Sequence, residues 1–174
     1  MTHARTCLGG LVLILVLALA QPTSAFQNEP NDCRGIEWGT NYDRLNGFTQ
    51  VSTQDRLDYY TKEDDEMTIG DARLEKVVYV FYHKKFCGAV LNFKSSQNFQ
   101  IVKTTLFDWY GKGGQSDRDE DRYRFRWSGT NVTITLEYDD ITQKGKLIYY
   151  YMPIYKKKQR ADERRRLMSP RRGS

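Results

Sequence analysis

Arg73-Leu74-Glu75-Lys76-Val77-Val78-Tyr79-Val80-Phe81-Tyr82-His83-Lys84-Lys85-Phe86-Cys87-Gly88-Ala89-Val90-Leu91-Asn92-Phe93-Lys94 sets the architecture of this chain. The first half is an unbroken run of β-branched and aromatic residues without Gly or Pro, the composition of a strand. Val77, Tyr79 and Phe81 fall on one face and Val78, Val80 and Tyr82 on the other. Both faces are apolar, which marks a strand in the middle of a sheet. A two-residue turn at His83-Lys84 pairs Tyr82 with Lys85, Phe81 with Phe86, Tyr79 with Gly88 and Val77 with Val90. In that register Gly88 leaves room for the Tyr79 ring.

After Phe93-Lys94, Ser95-Ser96 offers a helix cap. Phe99, Val102, Leu106 and Trp109 or Tyr110 then recur at helical spacing up to Gly111, which supplies the stop. This stripe is expected to lie against the sheet.

Upstream, Thr40 and Asp43 resemble a capping box for a short helix ended by Gly47. Phe48 to Ser52 and Leu57 to Lys62 read as short strands, and the acidic run Glu63-Asp64-Asp65-Glu66 turns the chain.

Downstream, Tyr123, Phe125 and Trp127 alternate with Arg122, Arg124 and Arg126, so this strand has one wet face. A turn at Ser128-Gly129 sets Trp127 opposite Thr130, Phe125 opposite Val132 and Tyr123 opposite Ile134. Lys146 to Met152 is the last strand, stopped by Pro153. The order predicts an α+β domain: one antiparallel sheet of about six or seven strands, with two helices, one short and one longer, packed on one face.

Met1 to Ala25 has the layout of a secretory signal, with His3 and Arg5 ahead of the apolar run Leu8 to Ala20, and Thr23-Ser24-Ala25 as a small-residue cleavage site. As a helix the run reaches only about 20 Å, short of a membrane span. A cleaved signal, a periplasmic or secreted protein and no transmembrane anchor are the expectation. The single domain then covers residues 26–155.

Charge is unevenly divided along the chain. Residues 156–174 carry nine Lys and Arg against two acidic residues, whereas residues 26–155 carry 17 basic and 20 acidic ones. The body is mildly acidic, so the basic pI does not point to a nucleic-acid-binding fold. The tail lacks an apolar face and is expected to be disordered, or helical only transiently, and to add nothing to the core. Near an anionic leaflet each of its cations contributes about 1 kcal/mol, which makes an anionic surface a candidate partner.

The exported chain keeps two cysteines, Cys33 and Cys87. An even count in an oxidising compartment makes them a candidate disulfide, with two buried reduced thiols as the alternative.

Little in the chain announces bond-making chemistry. The exported part has one histidine, His83, at a predicted hairpin tip. Asp117, Asp119 and Asp121 imitate the start of a calcium loop, but Arg122 replaces its glycine and Ser128 its final glutamate. Gly111-Lys112-Gly113-Gly114 follows a helix rather than preceding one, unlike a phosphate loop. No cofactor motif is present. The stripe Arg122, Arg124 and Arg126 is a candidate anion-contact face, set against the ordinary polar face of an antiparallel sheet.

Gly35-Ile36-x-Trp38-Gly39-Thr40, Ile69-Gly70-Asp71-Ala72-x-Leu74, Phe81-Tyr82-x-x-x-Phe86 and Tyr110-Gly111 together give the chain a resemblance to a group of small bacterial exported proteins of uncharacterised function. The resemblance spans most of residues 35–152 and implies a bacterial envelope setting, with no site residue to carry over. Composition and motifs together favour a non-enzymatic binding or envelope-associated module with an unknown envelope protein or an anionic surface as partner. The alternatives are a small inhibitor presenting Tyr59, Tyr149 or Tyr151, and a hydrolase using Asp64 or Asp119 with Asp139.

Overall fold

The computed structural model describes residues 26–115 and 121–168. Residues 1–25, expected to be a signal, Asp117 and Asp119 of the calcium-loop imitation, and the last six residues lie outside that range. In chain order the strands are β1 (Asp32–Cys33), β2 (Ile36–Glu37), β3 (Phe48–Gln54), β4 (Leu57–Lys62), β5 (Thr68–Ile69), β6 (Ala72–Arg73), β7 (Lys76–Tyr82) and β8 (Lys85–Lys94). Helix α1 (Ser96–Tyr110) follows, then β9 (Gly114–Gln115), β10 (Arg122–Ser128), β11 (Val132–Asp139), β12 (Lys144–Tyr151) and α2 (Met152–Met168).

The expected α+β architecture is present, with a larger sheet: eight antiparallel strands in the order β3-β4-β7-β8-β12-β11-β10-β9, plus the two-strand ribbons β1-β2 and β5-β6. Two meanders meet where β12 returns to lie beside β8. The connection between them is α1, which leaves the centre of the sheet and reaches its far edge. Ser95 caps it by accepting from the Asn98 N–H at 3.3 Å. Gly111, at φ 77°, ends it in a conformation that favours glycine. Phe99, Val102, Leu106 and Tyr110 are its buried stripe, while Trp109 faces solvent. Phe99 stacks on Tyr138 at 4.4 Å, and Phe107 meets Phe125 edge-on at 5.5 Å.

Three local expectations are corrected. The capping-box helix is a single 3-10 turn at Tyr42–Arg44, capped by Asn41 instead of Thr40. In the central hairpin the turn is as expected, with His83 and Lys84 both at positive φ. Beyond Phe81 and Phe86, however, the register slips by one, so that Val80 pairs with Gly88, Tyr79 with Ala89 and Val77 with Leu91. The extra residue is a β-bulge that puts Phe86 in the main core and Cys87 on the opposite face. Gly88 therefore makes room for β12 rather than for Tyr79: a Cβ there would stand 2.7 Å from the Tyr149 carbonyl. In the β10-β11 hairpin the loop is longer than a tight turn, pairing Trp127 with Ile134 and Phe125 with Leu136. The shift is an even number of residues, so every side chain keeps its expected face.

The larger correction concerns the tail. Met152–Met168 is helical, and it sits across the sheet from α1, so the two helices do not share a face. Pro153 ends β12 but also starts α2, at a position where its missing N–H costs nothing. The Lys, Arg, Gln, Ala and Glu residues that follow are good helix formers. Packing comes from Ile154 against the small cluster of Leu57, Val80, Tyr82 and Cys87. Asp162 ties the helix to the β3-β4 turn by pairing with Arg56, and it pairs within the helix with Lys158 at 2.9 Å. Only one short stretch of the helix touches the sheet, which is why no apolar stripe is visible in its sequence. Among the described residues no helix is long and apolar enough to cross a membrane.

Candidate anion-binding site

The sheet has two unlike faces. Tyr79, Phe81, Leu91, Ile134, Leu136 and Leu147 belong to the face under α1, which is the main core. On the second face α2 covers only the part around Val80 and Cys87, and the remainder is open.

Strand register arranges the open part into rows. One row runs Lys94, Lys144, Asp139, Arg122 across β8, β12, β11 and β10. The next runs Lys76, Asn92, Lys146, Glu137, Arg124, beginning on β7. A third ends in Arg126 after Val78, Val90, Ile148 and Thr135. Seven cations therefore share these rows with two carboxylates, and a third, Glu75, reaches Lys94 from just before β7. Seven of these side chains border a groove of about 720 Å³: Asn92, Arg122, Arg124, Glu137, Asp139, Lys144 and Lys146.

The carboxylates neutralise only part of that charge. Arg122 Nε lies 3.2 Å from Asp139 and Arg124 3.0 Å from Glu137, with the guanidinium groups more than half exposed. Such exposed pairs contribute at most about 1 kcal/mol each and leave the arginines free to exchange partners. Asp139 also accepts the Thr142 backbone N–H and hydroxyl, both at 2.8 Å. These Thr142 donors, ahead of Arg122, hold its carboxyl below the usual pKa, so it is ionised throughout the neutral range. Lys94 pairs with Glu75 at 2.8 Å. Among the described residues, Lys144, Lys146 and Arg126 are in no ion pair. Lys94 and Lys144 are direct cross-strand neighbours, an arrangement that costs stability unless an anion intervenes.

The structure thus brings the three predicted arginines to one face and adds Lys76, Lys94, Lys144 and Lys146, which sequence reasoning missed. Their signal was the same alternation that exposed the arginines, but it is spread over three other strands whose neighbours are known only from the fold.

Other expected groups are not brought together. Cys33 and Cys87 are both free and buried, Cys33 in the core under α1 and Cys87 in the cluster under α2. The sheet lies between them, which overturns the candidate disulfide. Asp64 is exposed just after β4, and Asp139 ends β11. Those strands are four positions apart in the sheet, about 19 Å at the usual spacing. Among the described residues no group of three or more His, Cys, Asp or Glu is placed to hold a metal ion. His83 is an exposed turn residue whose ring packs on Tyr82 at 4.3 Å. Tyr149 is buried in the main core, so it forms no exposed patch with Tyr59, which lies on the other face.

One buried polar cluster holds the scaffold together. Arg34 donates to Asp65 at 3.0 Å, to the Tyr79 hydroxyl at 3.2 Å and to the Thr68 carbonyl at 3.1 Å. It clasps the β1-β2 ribbon to the loop before β5 and to the central strand β7.

The chain matches no family model, no curated protein and no solved structure.

Proposed function

We propose that this chain is an exported, non-enzymatic binding module that holds an anionic group of an envelope component on the open half of its sheet. The observation that carries this reading is the row structure of that face: seven Lys and Arg side chains to two carboxylates within the rows, four of the seven (Arg122, Arg124, Lys144 and Lys146) bordering an open groove. A solvated sheet face needs no such excess of one sign, and an array of one sign raises the local concentration of counter-charged ligands. The envelope setting rests on the signal-like segment and on the motif resemblance.

The site differs from the tail-borne one that composition favours. Part of the tail's charge is spent on Asp162, while Lys156, Lys157 and Arg160 remain exposed beside the sheet and extend the cationic surface. The inhibitor and hydrolase alternatives have less support, since their residues are dispersed.

The test is calorimetric titration of the mature chain with inorganic pyrophosphate at low and moderate salt. Binding that weakens with salt and is lost in Lys144→Glu/Lys146→Glu supports the assignment. Equal binding by that variant, with its thermal midpoint unchanged, contradicts it.

A further inference from the structure

The cationic groove does not end where its polar lining does. The row after Asn92 and Lys146 is Val90 and Ile148, one alternation further along the same face of β8 and β12. That step is about 6.7 Å, the advance of two residues along a strand. Val90 and Ile148 also belong to a second cavity, of about 200 Å³, which runs beneath α2. Val80 and Cys87 line it from the sheet, and Tyr155 and Lys158 from the helix. None of the residues of α2 is buried, so the helix bridges this floor without filling it.

The polar rim of the cavity on the α2 side carries charges of both signs, with Asp55 lining it beside Lys158. Lys158 is paired with Asp162, which also takes Arg56. The unpaired cations lie at the other end, on Lys146, Lys144 and Arg126. A slot with an apolar floor of Val80, Val90 and Ile148 and with Tyr59, Tyr150 and Tyr155 in its walls therefore opens, on one continuous sheet face, toward a field of positive charge.

We propose that slot and groove form one composite site for an anionic amphiphile, with an alkyl chain under α2 and an acidic head among Lys146, Lys144 and Arg126. This rests on the groove reading for the head and adds the chain. A cationic amphiphile is repelled by the same face, and a neutral one leaves the cations unused. The shared chemistry of alkyl chain plus anion fits either a free single-chain acid or a lipid still in a bilayer.

Titration of the mature chain with decyl phosphate below its aggregation concentration, decanol and inorganic phosphate tests the proposal. Burial of the chain predicts that decyl phosphate binds at least about tenfold more tightly than phosphate. Lys146→Glu should weaken both phosphates, and Val90→Phe, which fills the slot, should reduce decyl phosphate to the level of phosphate. In the wild-type chain the methyl resonances of Val80, Val90 and Ile148 should shift with decyl phosphate and not with phosphate, a readout that needs no variant. Pelleting with phosphatidylglycerol vesicles together with those shifts assigns the ligand to the bilayer; shifts without pelleting assign it to a free acid. If phosphate binds and decyl phosphate binds no better, with the methyls unmoved, the composite site is wrong and the groove stands. If neither anion binds, both fall.

Discussion

Cys33 and Cys87 are buried on opposite sides of the central sheet, Cys33 under α1 and Cys87 under α2. A disulfide requires Cα atoms within about 7 Å and side chains that point toward each other, which residues facing away through a sheet do not offer. Burial, the largest cause in each case, pushes both thiols up to about 12, so neither supplies a reactive thiolate at neutral pH. The folded protein should therefore resist thiol reagents even after exposure to air. In a chain of residues 26–174, which lacks Cys7, two equivalents should label on unfolding without any reductant. A mass two daltons below the reduced value, or loss of labelling until reduction, would contradict the packing of both clusters.

The same burial fixes the alkaline limit of stability. The thiols titrate near 9.0 when unfolded and near 12 when folded, and Tyr110 moves from 10.0 to about 12. A raised folded pKa adds stability that is complete below the unfolded value and lost as pH rises toward the folded one. Tyr79 and Tyr149 are raised in the same direction by desolvation. The urea midpoint should be flat from pH 7 to 8.5 and fall steeply between pH 9 and 12, by an upper bound of about 4 kcal/mol per thiol. Cys33→Ala/Cys87→Ala should lessen that fall, and an unchanged profile in the variant would count against the cause.

Arg34 and Asp65 are 14% and 9% exposed at their side chains, and removing either leaves the other buried without its charge partner. Asp65→Ala should cost roughly 3 kcal/mol, whereas Arg34→Met/Asp65→Leu should cost clearly less than the sum of its single changes. Denaturant melts of the four proteins measure the coupling; additive losses would mean that the pair does not act as a unit.

Gly145 faces Phe93 across the β8-β12 pair, and a Cβ at Gly145 would fall 2.0 Å from the Phe93 ring. That ring is fully buried. Gly145→Ala should destabilise by about 1–3 kcal/mol through overpacking. Gly114→Ala, with its nearest atom at 3.6 Å, is the matched control and should be close to neutral. Equal melting temperatures for the two variants would show that β8 and β12 are not this closely paired.

What the sequence made legible was what is local. Alternation in residues 122–127 assigned each side chain to the face it occupies even though the hairpin register was wrong, because the slip was even. The stripe and caps of α1 were readable from Ser95 to Gly111, since capping and helical period are short-range signals. The bulge at Cys87 was not readable, because it responds to β12, a strand more than fifty residues away. Helix α2 was missed for a related reason: its hold on the sheet is Ile154, a tyrosine and a lysine stem, too little to leave a periodic mark. The cationic face was only half visible, as three arginines on one strand, because the lysines that complete it arrive from β7, β8 and β12.

The central claim is that an anion binds on the open half of the sheet. Amide chemical shifts of the mature chain during a pyrophosphate titration test it most directly. The predicted result is saturable movement confined to Arg122 to Arg126, Lys144 to Lys146 and Asn92 to Lys94, with β3 and the exposed side of α1 still. Movement confined to Lys156 through Met168, or none anywhere, would contradict it.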